Sequence, residues 1–246
     1  TPLFCLPPGG GLSWSYAGLI PWLGDAQPLF GLQARRLSSG ESLSSVNALA
    51  KSYLAEMIKV QPHGPYALLG WSFGCHLAHE IATLLQQAGE VVSALILLDG
   101  YPLGERYRER ERQDSESLSA LFEALTGSVP EESELTVEAL RRRLVAQEHP
   151  LAVMEPVVFE RILAEFREAP RLLATFTPSR FQGDILFLRA ATRRDGEEDF
   201  DAQLWAPFVE GRIATHTLPC SHDGMFSPQA LQHTGPLIRD WIAQEK

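Results

Sequence analysis

Residues Gly70-Trp71-Ser72-Phe73-Gly74 follow the apolar run Tyr66 to Leu69 without a spacer and lead directly into a helix-like stretch from Cys75 to Gln87. A strand that becomes a helix over so few residues turns too sharply for Cβ atoms two positions before and after the serine, so glycine suits both places. The turn lifts one hydroxyl above the sheet, with the N-terminus of the following helix behind it. A Gly-x-Ser-x-Gly segment in this strand-to-helix context is a nucleophile elbow, and it commits the chain to strands that feed helices.

The flanking sequence carries the same alternation. Leu3 to Leu6 and Pro28 to Leu32 read as short buried strands, with helical spacing from Ser13 to Leu23 between them. In Ser42 to Val60 the apolar positions Val46, Leu49, Ala50, Tyr53, Leu54 and Met57 recur at intervals of three and four, an amphipathic helix. Gly89 stands where a helix-ending glycine belongs, and Val91 to Leu98 is a strongly apolar strand closed by Asp99-Gly100. Asp184 to Arg189 and Ile213 to Leu218 predict two more strands, and Ser227 to Gln244 a closing helix. Such a series builds a mostly parallel central sheet with helices on both faces.

From about 101 to 181 the pattern breaks. Arg106 to Glu116 is a dense mixed-charge run, which predicts a solvated, mobile face. Helical patterns follow at Ser117 to Leu125, Val137 to Gln147 and Pro156 to Ala174, and no convincing strand does. A helical block of this kind inside a β/α series predicts an insertion over one end of the sheet, within one domain spanning 1–246. The length of 246 residues and a hydrophobic content of 45% suit one such domain.

A net charge of −10 argues against nucleic acid and anionic membrane surfaces as partners, since both would repel the chain. No apolar run approaches the roughly 18 to 20 residues of a spanning helix. Cys5, Cys75 and Cys220 show neither metal-site spacing nor an even count, so small buried thiols in a reducing, cytoplasmic setting are expected, with no bound metal. Thr1 and Pro2 run straight into a strand without a basic or signal-like segment, which suggests a domain excised from a longer chain.

A serine hydroxyl is a poor nucleophile at neutral pH and needs a base within reach, itself held by a third group. Of the seven histidines, His222 is the best placed, in the loop Cys220-Ser221-His222-Asp223-Gly224 after the last predicted strand. His216 lies inside that strand and reads as a packing or surface residue. His63, His76, His79, His149 and His233 fall in a loop, the elbow helix, the helical block and the last helix, where ordinary structural roles are expected. For the acid, Asp99 ends the strand after the elbow unit and emerges at the same sheet edge as Ser72. An aspartate closing the apolar run Ile96-Leu97-Leu98 is costly without a charged or hydrogen-bonded partner. The alternative is Asp195, one strand later, in a loop whose neighbours Arg194, Glu197, Glu198 and Asp199 suggest exposure.

Stabilising an oxyanion takes two backbone N–H groups, and Phe73 supplies one. The second is expected from the loop Pro7-Pro8-Gly9-Gly10-Gly11, where proline has no N–H and Gly9 is the first possible donor. A plain turn remains the alternative. A phosphate loop does not, because Lys-Ser/Thr is absent and the dinucleotide glycine spacing fails.

These stretches together resemble the terminal (type I) thioesterase domains of nonribosomal peptide synthetases, in the α/β-hydrolase superfamily. The resemblance rests on Phe4 to Gly10, on Pro62-His63-Gly64-Pro65-Tyr66 running into the elbow, on Leu97-Leu98-Asp99, and on Ser221-His222 with Gly235-Pro236-Leu237-Ile238. It covers roughly 1 to 100 and 182 to 246. Cys75 departs from the small residue more usual after the elbow. The resemblance implies an α/β-hydrolase fold whose helical insertion is a variable lid. It implies a Ser72, Asp99, His222 triad, with Gly9 and Phe73 at the oxyanion. The substrate would be a peptidyl thioester on the 4'-phosphopantetheine of an upstream carrier domain, with no cofactor bound by this domain itself, and release would occur by macrocyclisation or hydrolysis, as in antibiotic or siderophore biosynthesis. Discrete editing thioesterases more often carry Gly-His-Ser elbows and the later acid. A general serine esterase and a catalytically silent binding module are the other readings.

Overall fold

The computed structural model describes residues 1–107, 119, 122, 125–126, 131, 135–193 and 198–244. Six strands, β1 (Leu3–Leu6), β2 (Leu29–Gly31), β3 (Tyr66–Trp71), β4 (Val92–Leu98), β5 (Ile185–Thr192) and β6 (Ile213–Ser221), form one sheet in the order β2-β1-β3-β4-β5-β6. Every pairing is parallel. The four central strands are nearly continuous apolar runs because both faces of the sheet are covered.

The alternation of side chains sorts them into two cores. Phe4, Leu6, Leu68, Leu95, Leu97 and Phe187 face a layer containing Ala50, Tyr53 and Met57 of helix α3 (Val46–Val60) and Leu77, Ala78 and Ile81 of helix α4 (Phe73–Gln87). Their neighbours Leu3, Cys5, Leu69, Ile96, Leu98 and Leu188 face Leu231, Ile238 and Trp241 of helix α7 (Pro228–Gln244). Ser45 caps α3, its hydroxyl accepting the Ala48 N–H at 3.1 Å. Gly89 follows α4 with φ 80°.

The helical spacing over Ser13 to Leu23 resolves into a 3₁₀ segment, Trp14–Leu19, and one turn of α1 (Ile20–Leu23). Pro21 has no N–H to give Ala17, so the chain tightens there, and the Ile20 N–H bonds to the Ala17 carbonyl instead. Sequence patterning did not indicate the short helix α2 (Arg35–Ser39), which Gly40 ends at φ 79°, or the 3₁₀ segment Ala202–Phe208. Cys5 and Cys75 are buried, but Cys220 is only half-buried, because the edge strand β6 exposes much of its length.

Between β4 and β5 the described residues hold helices and no strand: the 3₁₀ turn Gly104–Arg106, α5 (Val137–Ala146), the 3₁₀ turn Pro150–Val153 and α6 (Pro156–Ala174). Phe122, Leu140, Leu144, Leu151, Phe159, Ile162 and Leu163 form a third cluster, which includes Ala34 at the start of α2 and Leu37 within it. Beyond Phe166, α6 changes neighbours, and Ala169, Leu172 and Leu173 join the core beneath the sheet. The charged run after Tyr107 and most of the helix expected at Ser117 to Leu125 lie outside the described residues. Among the described residues no helix is long and apolar enough to cross a membrane.

Candidate active site

Ser72 sits between β3 and α4 with φ 58° and ψ −122°, a backbone conformation that L-residues rarely adopt. The flanking glycines make it possible. A Cβ on Gly70 would lie 2.1 Å from the Gly74 carbonyl oxygen, and one on Gly74 would lie 2.5 Å from that of Leu6 on β1. Gly70 is thus required by the turn itself, as turn sterics predict, whereas Gly74 is required by the neighbouring strand. The Ser72 N–H bonds to the Leu98 carbonyl at 2.9 Å, tying the elbow to the residue before Asp99. Gly100 is equally constrained, since its Cβ would meet the Ser72 carbonyl oxygen at 2.2 Å.

Two groups sequence patterning did not single out brace this edge. The Tyr16 hydroxyl donates to the Leu6 carbonyl at 2.6 Å and accepts the Trp71 N–H at 3.0 Å, linking the ends of β1 and β3. The indole N–H of the fully buried Trp205 donates to the Gly100 carbonyl at 2.9 Å, and its ring packs on His76 and His79. Those two histidines donate from Nε2 to the carbonyls of Tyr101 and Phe208, each at 3.0 Å. Burial pushes both imidazoles down to about 4, so they are neutral at physiological pH. Cys75 donates its thiol to the Gly70 and Leu98 carbonyls at 3.2 and 3.3 Å, and burial raises its pKa far above the ordinary range.

Asp99 lies at the end of β4 with φ 50° and its side chain 1% exposed. Oδ2 accepts from His222 Nδ1 at 2.9 Å and from Arg193 Nη1 at 3.0 Å. Oδ1 accepts from the Tyr101 hydroxyl at 2.7 Å, the Ala190 N–H at 3.1 Å and Arg193 Nη2 at 3.1 Å. Burial, the largest influence, opposes ionisation, but the hydrogen bonds donated by His222, Arg193 and the Tyr101 hydroxyl outweigh it and hold the carboxyl well below the usual range. His222, in the loop after β6, also places its ring 5.5 Å from that of Trp71, the residue before Ser72. Asp99 and His222 are thus hydrogen-bonded at the C-terminal edge of the sheet, the edge at which Ser72 follows β3. Asp195 lies outside the described residues, and His216 is exposed on β6.

The loop after β1 passes beside the elbow and beneath α6. Gly11 has φ 76° and donates its N–H to the Pro8 carbonyl at 2.8 Å, closing a turn. A Cβ on Gly10 would strike the Phe166 ring at 2.7 Å, whereas one on Gly9 would meet nothing nearer than 3.7 Å. Phe73 occupies the first position of α4, where a helix leaves its N–H without an intrahelical acceptor.

The Thioesterase domain family matches residues 1–241. The chain belongs to this family. It is 34% identical over 241 residues to the dimodular nonribosomal peptide synthase of Bacillus subtilis, a match covering 96% of this chain and 10% of that protein. It is 33% identical to vanchrobactin synthetase of Vibrio anguillarum, over 96% of this chain and 8% of that one. Among solved structures, a four-domain nonribosomal peptide synthetase bound to AMP and glycine aligns at TM-score 0.82 and 25% identity, over 98% of this chain and 19% of its own length. The chain therefore spans less than a fifth of the length of each of these synthetases. Its parallel sheet and elbow are those of an α/β-hydrolase.

Proposed function

We propose that the domain releases a peptidyl chain from a carrier-bound thioester through an ester on Ser72. The observation that carries this reading is the Asp99–His222 hydrogen bond of 2.9 Å at the sheet edge that bears the strained elbow. Family membership and the match to segments of peptide synthetases support this substrate class.

Each step follows from the residues. His222 Nδ1 donates to Asp99, which leaves Nε2 as the basic nitrogen that takes the Ser72 proton. The alkoxide attacks the thioester carbonyl, and the oxyanion is stabilised by the Phe73 N–H and an N–H of the loop after β1, assigned to Gly9. His222 returns its proton to the departing phosphopantetheine thiolate of the upstream carrier domain, leaving a peptidyl-O-Ser72 ester. Asp99 fixes the imidazole tautomer and stabilises the imidazolium in both steps. Water, or an amine or hydroxyl of the peptide itself, then resolves the ester. A well-oriented internal nucleophile, with an effective molarity of about 10⁵ to 10⁸ M, outruns water. The segment from 101 to 181 is assigned as a lid, and Phe166 of α6 packs beside Gly10, next to the assigned oxyanion donor Gly9.

The test is intact-protein mass spectrometry after mixing with a peptidyl thioester. An acyl adduct is expected in wild type and absent in Ser72→Ala, and an adduct that persists in the variant overturns the proposal.

A further inference from the structure

We propose that Arg193 is a positioning residue of this site, a guanidinium that neutralises Asp99 and thereby sets how readily His222 takes a proton. The inference rests on the reading of Ser72, Asp99 and His222 as a triad.

A carboxylate offers about four lone-pair sites, and Asp99 receives five donors. Two of them come from Arg193, one on each oxygen, in the bidentate geometry that fixes a carboxylate plane. Arg193 is itself held. Its Nη2 contacts the Tyr101 hydroxyl at 3.0 Å, its charge lies 5.8 Å from the centre of the Tyr101 ring, and Nε reaches Asp199 at 3.3 Å. The side chain is 13% exposed, so this is a desolvated ion pair rather than a surface contact.

Position makes the pair informative. Arg193 follows β5, the strand after which a later-acid hydrolase carries its carboxylate. Here the acid stands after β4, and the β5 loop contributes a cation directed at it.

The consequence is electrostatic. An unopposed aspartate raises the basicity of the histidine it contacts, through its full negative charge. With a guanidinium 3.0 Å from the same oxygen that accepts from His222, the net charge beside the imidazole is near zero. Hydrogen bonding still orients the ring, while the imidazolium gains less. Removing the guanidinium would return the full carboxylate charge to the side of the imidazole. The other groups around the pair do not offset this. Tyr101 and the thiols of Cys75 and Cys220 are all shifted toward their neutral forms, burial being the main cause. Asp199, which also pairs with Arg189, contacts Nε of Arg193 rather than the Nη atoms that bind Asp99, and Asp223 adjoins His222 in the chain.

The experiment is the pH dependence of kcat/KM with a peptidyl thioester for wild type, Arg193→Met, Arg193→Gln and Arg193→Lys. Removing the charge is expected to move the acid limb upward by about one pH unit in the Met and Gln variants. Gln keeps an N–H donor and remains informative if the Met variant does not fold. Lys keeps the charge without the fork, so its limb should stay at the wild-type position while kcat falls about tenfold. An acid limb unmoved in Arg193→Gln, or displaced equally in Arg193→Lys, overturns the proposal and leaves Arg193 a structural residue. Ser72→Ala and His222→Ala, run alongside, separate the two readings: activity in either defeats the triad, while their inactivity with a stationary limb defeats only the role of Arg193.

Discussion

The edge of the sheet that carries Ser72 and the helical insertion above it are secured by different means. At the edge, backbone meets backbone: the positions Cβ atoms would take on Gly70, Gly74 and Gly100 lie 2.1, 2.5 and 2.2 Å from carbonyl oxygens, and Asp99 is bound by donors from three segments of chain. The insertion is secured by side chains, an apolar cluster shared with Ala34 and Leu37 and, at its margin, the tips of long polar ones. Arg36 Nε on α2 donates to Glu165 on α6 at 2.6 Å, with Glu168 3.9 Å from the same guanidinium. Arg161 donates to the Leu37 and Ser38 carbonyls at 2.9 Å. The two carboxylates differ accordingly. Asp99 is held ionised against burial, whereas burial raises the pKa of Glu165 despite Arg36, with Glu168 adding to the rise. A site edge built from backbone contacts keeps its geometry, while an insertion built from side-chain contacts is replaceable piece by piece.

Substitutions probe this contrast. The largest effect should come from Asp99→Asn, which removes the charge and disturbs the His222 tautomer: turnover of a peptidyl thioester should fall by about 10⁴-fold. A loss of under tenfold would mean that Asp99 is not the orienting acid. Gly70→Ala places a methyl group inside the Gly74 backbone, and chemical denaturation should show a loss of more than about 4 kcal/mol or no folded protein. Tolerance of that alanine would show the edge to be as adaptable as the insertion.

Acid should act on the edge through the neutral histidines behind it. Their unfolded forms bind protons below about pH 6.5, whereas the folded forms resist until about pH 4. Stability should therefore fall as pH drops through that window, by up to about 1.4 kcal/mol per pH unit for each histidine. His76→Gln should flatten the slope measured by urea denaturation. Asp99, whose folded pKa is depressed, contributes stability that is retained down to its unfolded pKa near 3.9 and lost only below it.

In the insertion, Arg36→Met leaves Glu165 and Glu168 facing each other without their cation and should cost about 2 kcal/mol. Glu165→Gln removes a carboxylate whose burial is itself unfavourable and should cost under about 1 kcal/mol. The reverse order would show that Glu165 is held as firmly as Asp99. Smallest of all, His216→Ala on the exposed face of β6 should change stability by under about 0.5 kcal/mol and leave turnover intact.

What was legible in the chain follows from the range of the interactions involved. Apolar runs marked all six strands, and α6 spans the residues from Pro156 to Ala174 that its spacing indicated, because burial on one or both faces writes a period into contiguous residues. Asp99 and His222 stood out because each closes or follows a strand at the edge bearing the elbow. Arg193 carried no such mark. It belongs to a polar loop next to Arg194 and Asp195, and only its approach to Asp99, 94 positions away, distinguishes it. Tyr16 looked like one more apolar position on a helix, and Trp205 lay in a stretch without period.

Sequence alone determined the parallel β/α order, the elbow with its serine, and the strand ends at which an acid and a histidine stand, since propensity, periodicity and turn sterics act over a few residues. Tertiary structure decided that Gly74 yields to β1, that Tyr16 and Trp205 brace the edge, and that a guanidinium shares the carboxylate with His222. Those outcomes depend on which distant atoms come within about 3 Å of one another, and electrostatics and close packing at that range are set by the assembled sheet.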